Sequence, residues 1–461
     1  MAESWVPAAY QERAVQHLVE RPRAGLFLKP GLRKTSITLA AFEVLRSMKM
    51  AKALLVLAPL RVCYTSWPQE VAKWKDFSHL SVGILHGPTK SQVLREKHDV
   101  YLLNYEGLKW LFNELTTLKT WPFDVLVADE STKVKHTNTQ RFKLLKPMLR
   151  YFKRRYILTG SPTARHLLDI FGQCYVMDSG ETFGPYITRF REEYFYPSGY
   201  QGYNWQPKPG TEERIHACLA PRVFYAHDKD YLQLPELIEK DVEVELPPQA
   251  RAAYDQMENT LRLDFQAGKV TAVNTAVASM KCRQLANGGV YLNDHSWEHV
   301  HQAKVDAVVD LIEELSGQPT LITYDFLHDL ERLKQALGKD TPHIGKGGVK
   351  PAQLPALIRA WNRGEVPYIL VSPSSLAHGV DGLQHAGRAV IWHSLTYNFE
   401  DYDQLIRRLR RSGQEERVLV AHIIAKNTVD HAIMATLRRK DKLQGNLFMA
   451  LKEYWKDQGL H

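Results

Sequence analysis

Short apolar runs alternate with amphipathic, helix-like stretches along most of the 461 residues, and this alternation limits the fold to parallel sheets covered by helices. In the first half the runs are Leu26–Lys29, Ala53–Ala58, Val82–Leu85, Val100–Asn104, Val125–Asp129 and Arg155–Thr159; in the second they are Thr320–Tyr324, Tyr368–Ser372, Ala389–His393 and Arg417–Ile424. Between the two sets the texture changes to Tyr, Pro and Gly. The stretch from about 179 to 250 reads as a protrusion plus a linker, with a lobe boundary near Leu234-Pro235-Glu236-Leu237. Two α/β lobes are therefore expected, residues 1–235 (protrusion about 179–235) and 236–461.

The first run leads into Lys29-Pro30-Gly31-Leu32-Arg33-Lys34-Thr35 and then a helical repeat. Strand, Gly-containing turn, Lys-Thr and helix form the context of a phosphate-binding loop. Backbone N–H groups at the helix start would hold phosphate oxygens, Lys34 would neutralise the outer phosphates, and Thr35 would offer its hydroxyl to Mg²⁺. The run Asp124-Val125-Leu126-Val127-Ala128-Asp129-Glu130 ends in two carboxylates. Asp129 is placed for the Mg²⁺ shell and Glu130 for orienting or deprotonating a water. Far downstream lies Gln404-Leu405-Ile406-Arg407-Arg408-Leu409-Arg410-Arg411-Ser412-Gly413-Gln414. Arg408 and Arg411, three apart and on one face if helical, can reach one phosphate as bidentate donors. Loop, acidic strand end and paired arginines, in that order, point to a nucleotide triphosphatase using ATP and Mg²⁺.

Composition is compatible with this reading without identifying it. The net charge of +9 favours a polyanionic partner. Cys63, Cys174, Cys218 and Cys282 are scattered without ligand spacing and read as reduced thiols of a cytosolic protein. No apolar run reaches membrane length, and Met1-Ala2-Glu3-Ser4-Trp5 does not open a signal peptide, so a cytoplasmic location is expected.

These motifs together resemble a superfamily 2 helicase-like ATPase of the Swi/Snf type, in the compact form found in phages and bacteria, over nearly the whole chain. Tyr10-Gln11 matches the adenine-reading glutamine motif, Ala58-Pro59-Leu60 with Trp67 looks like motif Ia, and Asn104-Tyr105-Glu106 resembles the family's NYE segment. Asp129-Glu130-Ser131-Thr132, followed by Lys133 and Lys135, stands at the DEAH position. Leu158-Thr159-Gly160-Ser161-Pro162 resembles motif III and leads to Leu168-Asp169-Ile170-Phe171-Gly172-Gln173. Ser374-Ser375 with His378-Gly379-Val380-Asp381-Gly382-Leu383-Gln384 resembles motif V, and Gln404, Arg408, Arg411, Gly413 and Gln414 fit motif VI.

The resemblance implies two RecA-like lobes with ATP in the cleft between them, and ATP-driven translocation on double-stranded DNA. It assigns nucleotide contacts to Gln11, Gly31, Arg33, Lys34, Thr35, Asp129, Gly379 and Asp381, and DNA contacts to Pro59, Asn104, Tyr105, Lys135 and Ser374. Coupling falls to Thr159, Gly160, Ser161 and Gln404; catalysis falls to Lys34, Glu130, Arg408 and Arg411. Arg438-Arg439-Lys440 and Lys442 resemble the start of a brace helix returning to the first lobe. Any nuclease, replication or recombination activity is expected from a separate partner protein.

One residue departs from the family, because Arg33 stands where it carries a loop glycine. A side chain there is expected to disturb close approach of backbone to phosphate, so the alternative is an ATPase-impaired DNA-binding module. A strand-separating helicase and an RNA-directed ATPase are lesser alternatives. The aromatic cluster Tyr196, Tyr200, Tyr203 and Trp205 with Lys208 could flank DNA or simply pack a protrusion. Lys143, Lys146, Arg150, Lys153, Arg154 and Arg155 form either a phosphate track or a solvated face. His295, His299 and His301 lack a completing ligand set and read as surface histidines.

Overall fold

The computed structural model describes residues 3–118, 121–160, 162–163, 166–198, 204–226, 234–260, 262–265, 268–271, 275–294, 296–350, 353–376, 380–411 and 413–442. The chain divides into two compact units, parting at Leu232 and Gln233.

The first unit carries β1 (Arg23–Leu28), β2 (Leu54–Ala58), β3 (Val82–Ile84), β4 (Val100–Asn104), β5 (Val125–Asp129), β6 (Arg154–Thr159), β7 (Phe195–Ser198), β8 (Asn204–Pro207) and β9 (Val223–Ala226). Seven of these form a parallel sheet ordered β3-β4-β2-β5-β6-β1-β9, while β7 and β8 pair as an antiparallel hairpin. Strands β2, β4 and β5 are buried along their whole length, because helices cover both faces of the sheet. Alternation of side chains sorts them into two cores. Leu55, Leu57, Leu126 and Ala128 join one, and Leu54, Val56, Val125 and Val127 join the other.

The second unit carries β10 (Leu237–Val244), β11 (Arg262–Phe265), β12 (Gly268–Thr271), β13 (Gly289–Tyr291), β14 (Trp297–His299), β15 (Thr320–Thr323), β16 (His343–Ile344), β17 (Tyr368–Val371), β18 (Ala389–Trp392) and β19 (Val418–Ala425). Its parallel sheet runs β10-β19-β18-β15-β17-β16. Beneath it the fully buried Lys304 ammonium pairs with Asp430 at 2.6 Å and donates to Asn287 Oδ1 at 2.9 Å, so its charge is compensated.

Both units are thus RecA-like α/β lobes, as expected. The protrusion and linker reading needs correction, because that stretch also supplies an edge strand to each sheet, β9 beside β1 and β10 beside β19. The paired-arginine reading also changes. The helix Phe399–Leu409 contains Arg408 but ends before Arg411, since Arg410 leaves the helical region (φ −90°, ψ 81°) and Gly413 turns the chain at φ 89°. The brace segment beyond Lys442 lies outside the described residues.

Candidate nucleotide site

Three strand ends build the site in the first unit. The loop after β1, Asp129 at the end of β5 and Thr159 at the end of β6 share the carboxyl edge of the sheet, where parallel α/β sheets bind ligands. In the loop, Leu32 N–H closes a turn onto Lys29 O (3.2 Å) and Gly31 takes φ 94°. Arg33 caps the helix Lys34–Ser47 in the left-handed region, at φ 52° and ψ 44°. An L-residue bears about 1–2 kcal/mol of strain in that region, so the chain holds here the backbone shape that a glycine adopts freely. The Arg33 side chain turns onto Trp74, with its guanidinium carbon 5.5 Å from the ring centroid. Lys34 Nζ donates to Leu28 O (2.8 Å), and Thr35 is half-buried in the first turn of the helix.

Asp129 is buried, and both its oxygens are held. Trp67 Nε1 donates to Oδ2 at 2.9 Å and Glu130 N–H to Oδ1 at 3.0 Å, while Tyr105 OH donates to the Asp129 carbonyl at 2.7 Å. Burial pushes the Asp129 carboxyl up from its ordinary value, opposed by the Trp67 hydrogen bond and the nearby positive charge of Lys34. Lys34, in the segment after β1, and Asp129, at the end of β5, thus lie at the same carboxyl edge of the sheet. Glu130 is left-handed as well (φ 52°, ψ 58°) and precedes the turn Ser131–Val134. Arg33 and Glu130 are the two described non-glycine residues that begin helical segments from this region, and strain of this kind concentrates at functional sites. Gly160 brings β6 against the loop, since a Cβ there would stand 2.9 Å from Pro30 Cδ.

The remaining expected residues fall as follows. Gln11 is buried, with Oε1 accepting from Ala8 N–H (2.8 Å), which leaves its amide N–H groups to be used elsewhere. Thr159 is fully buried, and Ser161 and Gly379 lie outside the described residues. Pro59 is half-buried before the helix Leu60–Tyr64, and Asn104 Nδ2 donates to Glu106 at 3.1 Å. Lys135 is buried and ion-paired with Asp169 at 3.0 Å, so its ammonium, like the Tyr105 hydroxyl, is directed into the protein. In the second unit Ser374 is exposed and Gln404 is buried. Arg408 and Arg411 both engage the Asp381 carboxylate, Arg408 at 3.2 Å. Burial raises that carboxyl, but Arg411 and Arg408 outweigh it and hold it below the usual aspartate value.

Other expectations shift with burial. Arg154 donates to the Leu18 and Val19 carbonyls and Arg155 to Ser179, both from buried positions, so neither belongs to a surface track. Trp205 packs on the first core, Tyr196 is exposed, and Tyr200 and Tyr203 lie outside the described residues. His301 is buried against Leu285 O rather than at the surface, and His295 lies outside the described residues. Sequence reasoning missed Trp74 as the seat of Arg33, and it named Trp67 and Gln173 within the motif resemblances without finding that Trp67 donates to Asp129 or giving a role to Gln173. The last left a signal, a glutamine within the wholly buried helix Asp169–Asp178.

The parallel α/β lobes and this site define a superfamily 2 ATPase core. The SNF2-related domain family matches residues 10–293, and the chain belongs to that Swi/Snf-type family. It is 32% identical to "Putative protein p41" of Acyrthosiphon pisum secondary endosymbiont phage 1, over 98% of this chain and 99% of that one. It is 23% identical to the "DNA annealing helicase and endonuclease ZRANB3" of Bos taurus, over 90% of this chain but 38% of that protein. Among solved structures it is similar to the "Sulfolobus solfataricus SWI2/SNF2 ATPase core in complex with dsDNA", at 21% identity and a TM-score of 0.45, covering 97% of this chain and 96% of that one. No helix among the described residues is long and apolar enough to cross a membrane.

Proposed function

We propose that the chain hydrolyses ATP and uses the energy to translocate along double-stranded DNA in the cytoplasm. The observation that carries this reading is the placement of Lys34, Asp129 and Glu130 at one carboxyl edge of the sheet, in a chain of the SNF2-related family. Gln11 reads the adenine through its amide, and Lys34 neutralises the outer phosphate oxygens. Asp129 and the Thr35 hydroxyl are oxygen donors of the kind Mg²⁺ takes, and each Asp129 oxygen keeps a lone pair beyond its one protein hydrogen bond. When bound, Mg²⁺ supplies charge neutralisation of the triphosphate. Glu130 orients the attacking water and accepts its proton. Arg408 and Arg411 stabilise charge on the transferring phosphoryl group, which requires the second unit to reach the nucleotide on the first. Asp381 then serves as the resting partner of both arginines, and Gly379 contacts the nucleotide. Thr159, Gly160, Ser161 and Gln404 couple nucleotide state to DNA grip.

Pro59, Asn104 and Ser374 contact the DNA backbone, with affinity that falls as salt rises. Tyr105 and Lys135, directed inward, support the Asp129–Glu130 strand end from behind. A partner protein supplies any nuclease, replication or recombination chemistry.

The left-handed Arg33 supports hydrolysis over an impaired, purely DNA-binding chain, because the loop keeps the glycine-like backbone and the side chain departs toward Trp74. The test is ATP turnover by the native chain and by Arg33→Gly, each alone and with duplex DNA, single-stranded DNA or RNA. Turnover by both, stimulated most by duplex, is expected. Turnover by Arg33→Gly alone would transfer the function to DNA or partner binding, and preference for single strands or RNA would overturn the duplex assignment.

A further inference from the structure

The helix Asp169–Asp178 grips the turn that follows Glu130 at three points. Gly172 lies so close that a Cβ would stand 2.4 Å from Lys135 O and 2.6 Å from Val134 O. Asp169 holds the buried Lys135 ammonium at 3.0 Å. Between them the fully buried Gln173 accepts from Ser131 Oγ at 2.8 Å. The Gln173 amide then donates to Pro162 O at 2.8 Å and to Asp169 O at 2.9 Å. A carboxamide presents an acceptor and two donors at once, so it can tie a hydroxyl on one turn to a carbonyl on another, which no apolar or carboxylate side chain of that size does. Ser131 directly follows the left-handed Glu130, and Pro162 follows Gly160, the residue packed on the phosphate loop.

We propose that Gln173 is a positioning residue that locks the Glu130 turn to the turn after β6, so that the two move as one. The proposal rests on the reading of Glu130 as the group that prepares the water. With Gln173 in place, Glu130 is presented in a single orientation, and displacement at Pro162 is transmitted to it through one side chain rather than through the sheet. A 1 Å displacement of a catalytic group costs up to about a hundredfold in rate.

The experiment compares Gln173→Leu, Ser131→Ala, the double variant and Cys174→Ala for kcat, KM for ATP, duplex stimulation and thermal midpoint. Cys174 is buried on the same helix and serves as the packing control. Gln173→Leu is expected to lower kcat roughly 10- to 100-fold with KM within about twofold, and the double variant to be no slower than Gln173→Leu. Cys174→Ala is expected to lower the midpoint while keeping kcat. Should Gln173→Leu fail to fold, Ser131→Ala alone must lower kcat severalfold. Unchanged kcat and duplex stimulation in these variants, additive losses, or an equal loss in Cys174→Ala would overturn the proposal while leaving the ATPase reading intact. A native chain without duplex-stimulated turnover would sink both.

Discussion

The Arg33 guanidinium lies over the indole of Trp74, 5.5 Å from the ring centroid, while the Arg33 backbone occupies the left-handed region. The side chain thus leaves the loop after β1 for the end of the helix Ser66–Lys73, which at its other end sends Trp67 to Asp129. One helix therefore seats both motifs of the candidate nucleotide site.

Because Arg33 is strained, Arg33→Val should lower stability by at least about 1 kcal/mol, since a β-branched residue tolerates this region least. Arg33→Gly should melt within a few degrees of the native chain, relief of strain offsetting the flexibility gained on unfolding. Thermal melts of the three chains decide it; a Val variant as stable as the native chain contradicts the geometry.

Trp67→Phe removes the indole N–H that donates to Asp129 Oδ2 and leaves a buried carboxylate oxygen less well held. Partners of this kind behind a metal ligand typically contribute about 10–100-fold to metal affinity. The Mg²⁺ concentration for half-maximal hydrolysis should therefore rise about tenfold or more. Asp129→Asn should abolish turnover at any Mg²⁺ concentration. An unshifted Mg²⁺ titration for Trp67→Phe would count against Asp129 as a metal ligand.

Arg408 and Arg411 share Asp381. Arg408→Ala and Arg411→Ala should each lower kcat by about 10³-fold or more, while nucleotide affinity measured with a fluorescent analogue changes little. Equal losses in affinity and rate would mean that they hold the ground-state nucleotide instead.

Acid should destabilise the chain through buried neutral histidines. Burial, with Arg21 nearby, pushes His17 down to about 3, and burial pushes His301 down to about 4. Between the ordinary value of 6.5 and these values the unfolded chain binds the proton and the folded chain does not, so stability falls as pH drops through that window. At pH 5 each histidine costs about 2 kcal/mol relative to pH 7.5. Melting curves across this range should show the slope, and His301→Asn should flatten it.

The loop and the acid-ended strand were legible because each is a local pattern, a strand end with the residues that follow it. The edge strands were not. Strand β10 has one neighbour and is largely solvent-exposed, so Leu237–Val244 carries Glu239, Lys240, Asp241 and Glu243 instead of an apolar run. Strand β9 is four residues long in a Tyr- and Pro-rich stretch. Such segments become strands through the partner they meet.

The sequence by itself determined the order of strands and helices and the chemistry available at each strand end, because periodicity and turn residues act over a few neighbours. Only the tertiary structure decided that Trp67 donates to Asp129, 62 positions away, that Gln173 bridges Ser131 and Pro162, and that Asp381 takes both arginines. It also decided that Lys135 and Arg154 point inward. Those outcomes follow from the demand that buried polar groups find partners, and which partners are in reach is set by packing between segments distant in the chain.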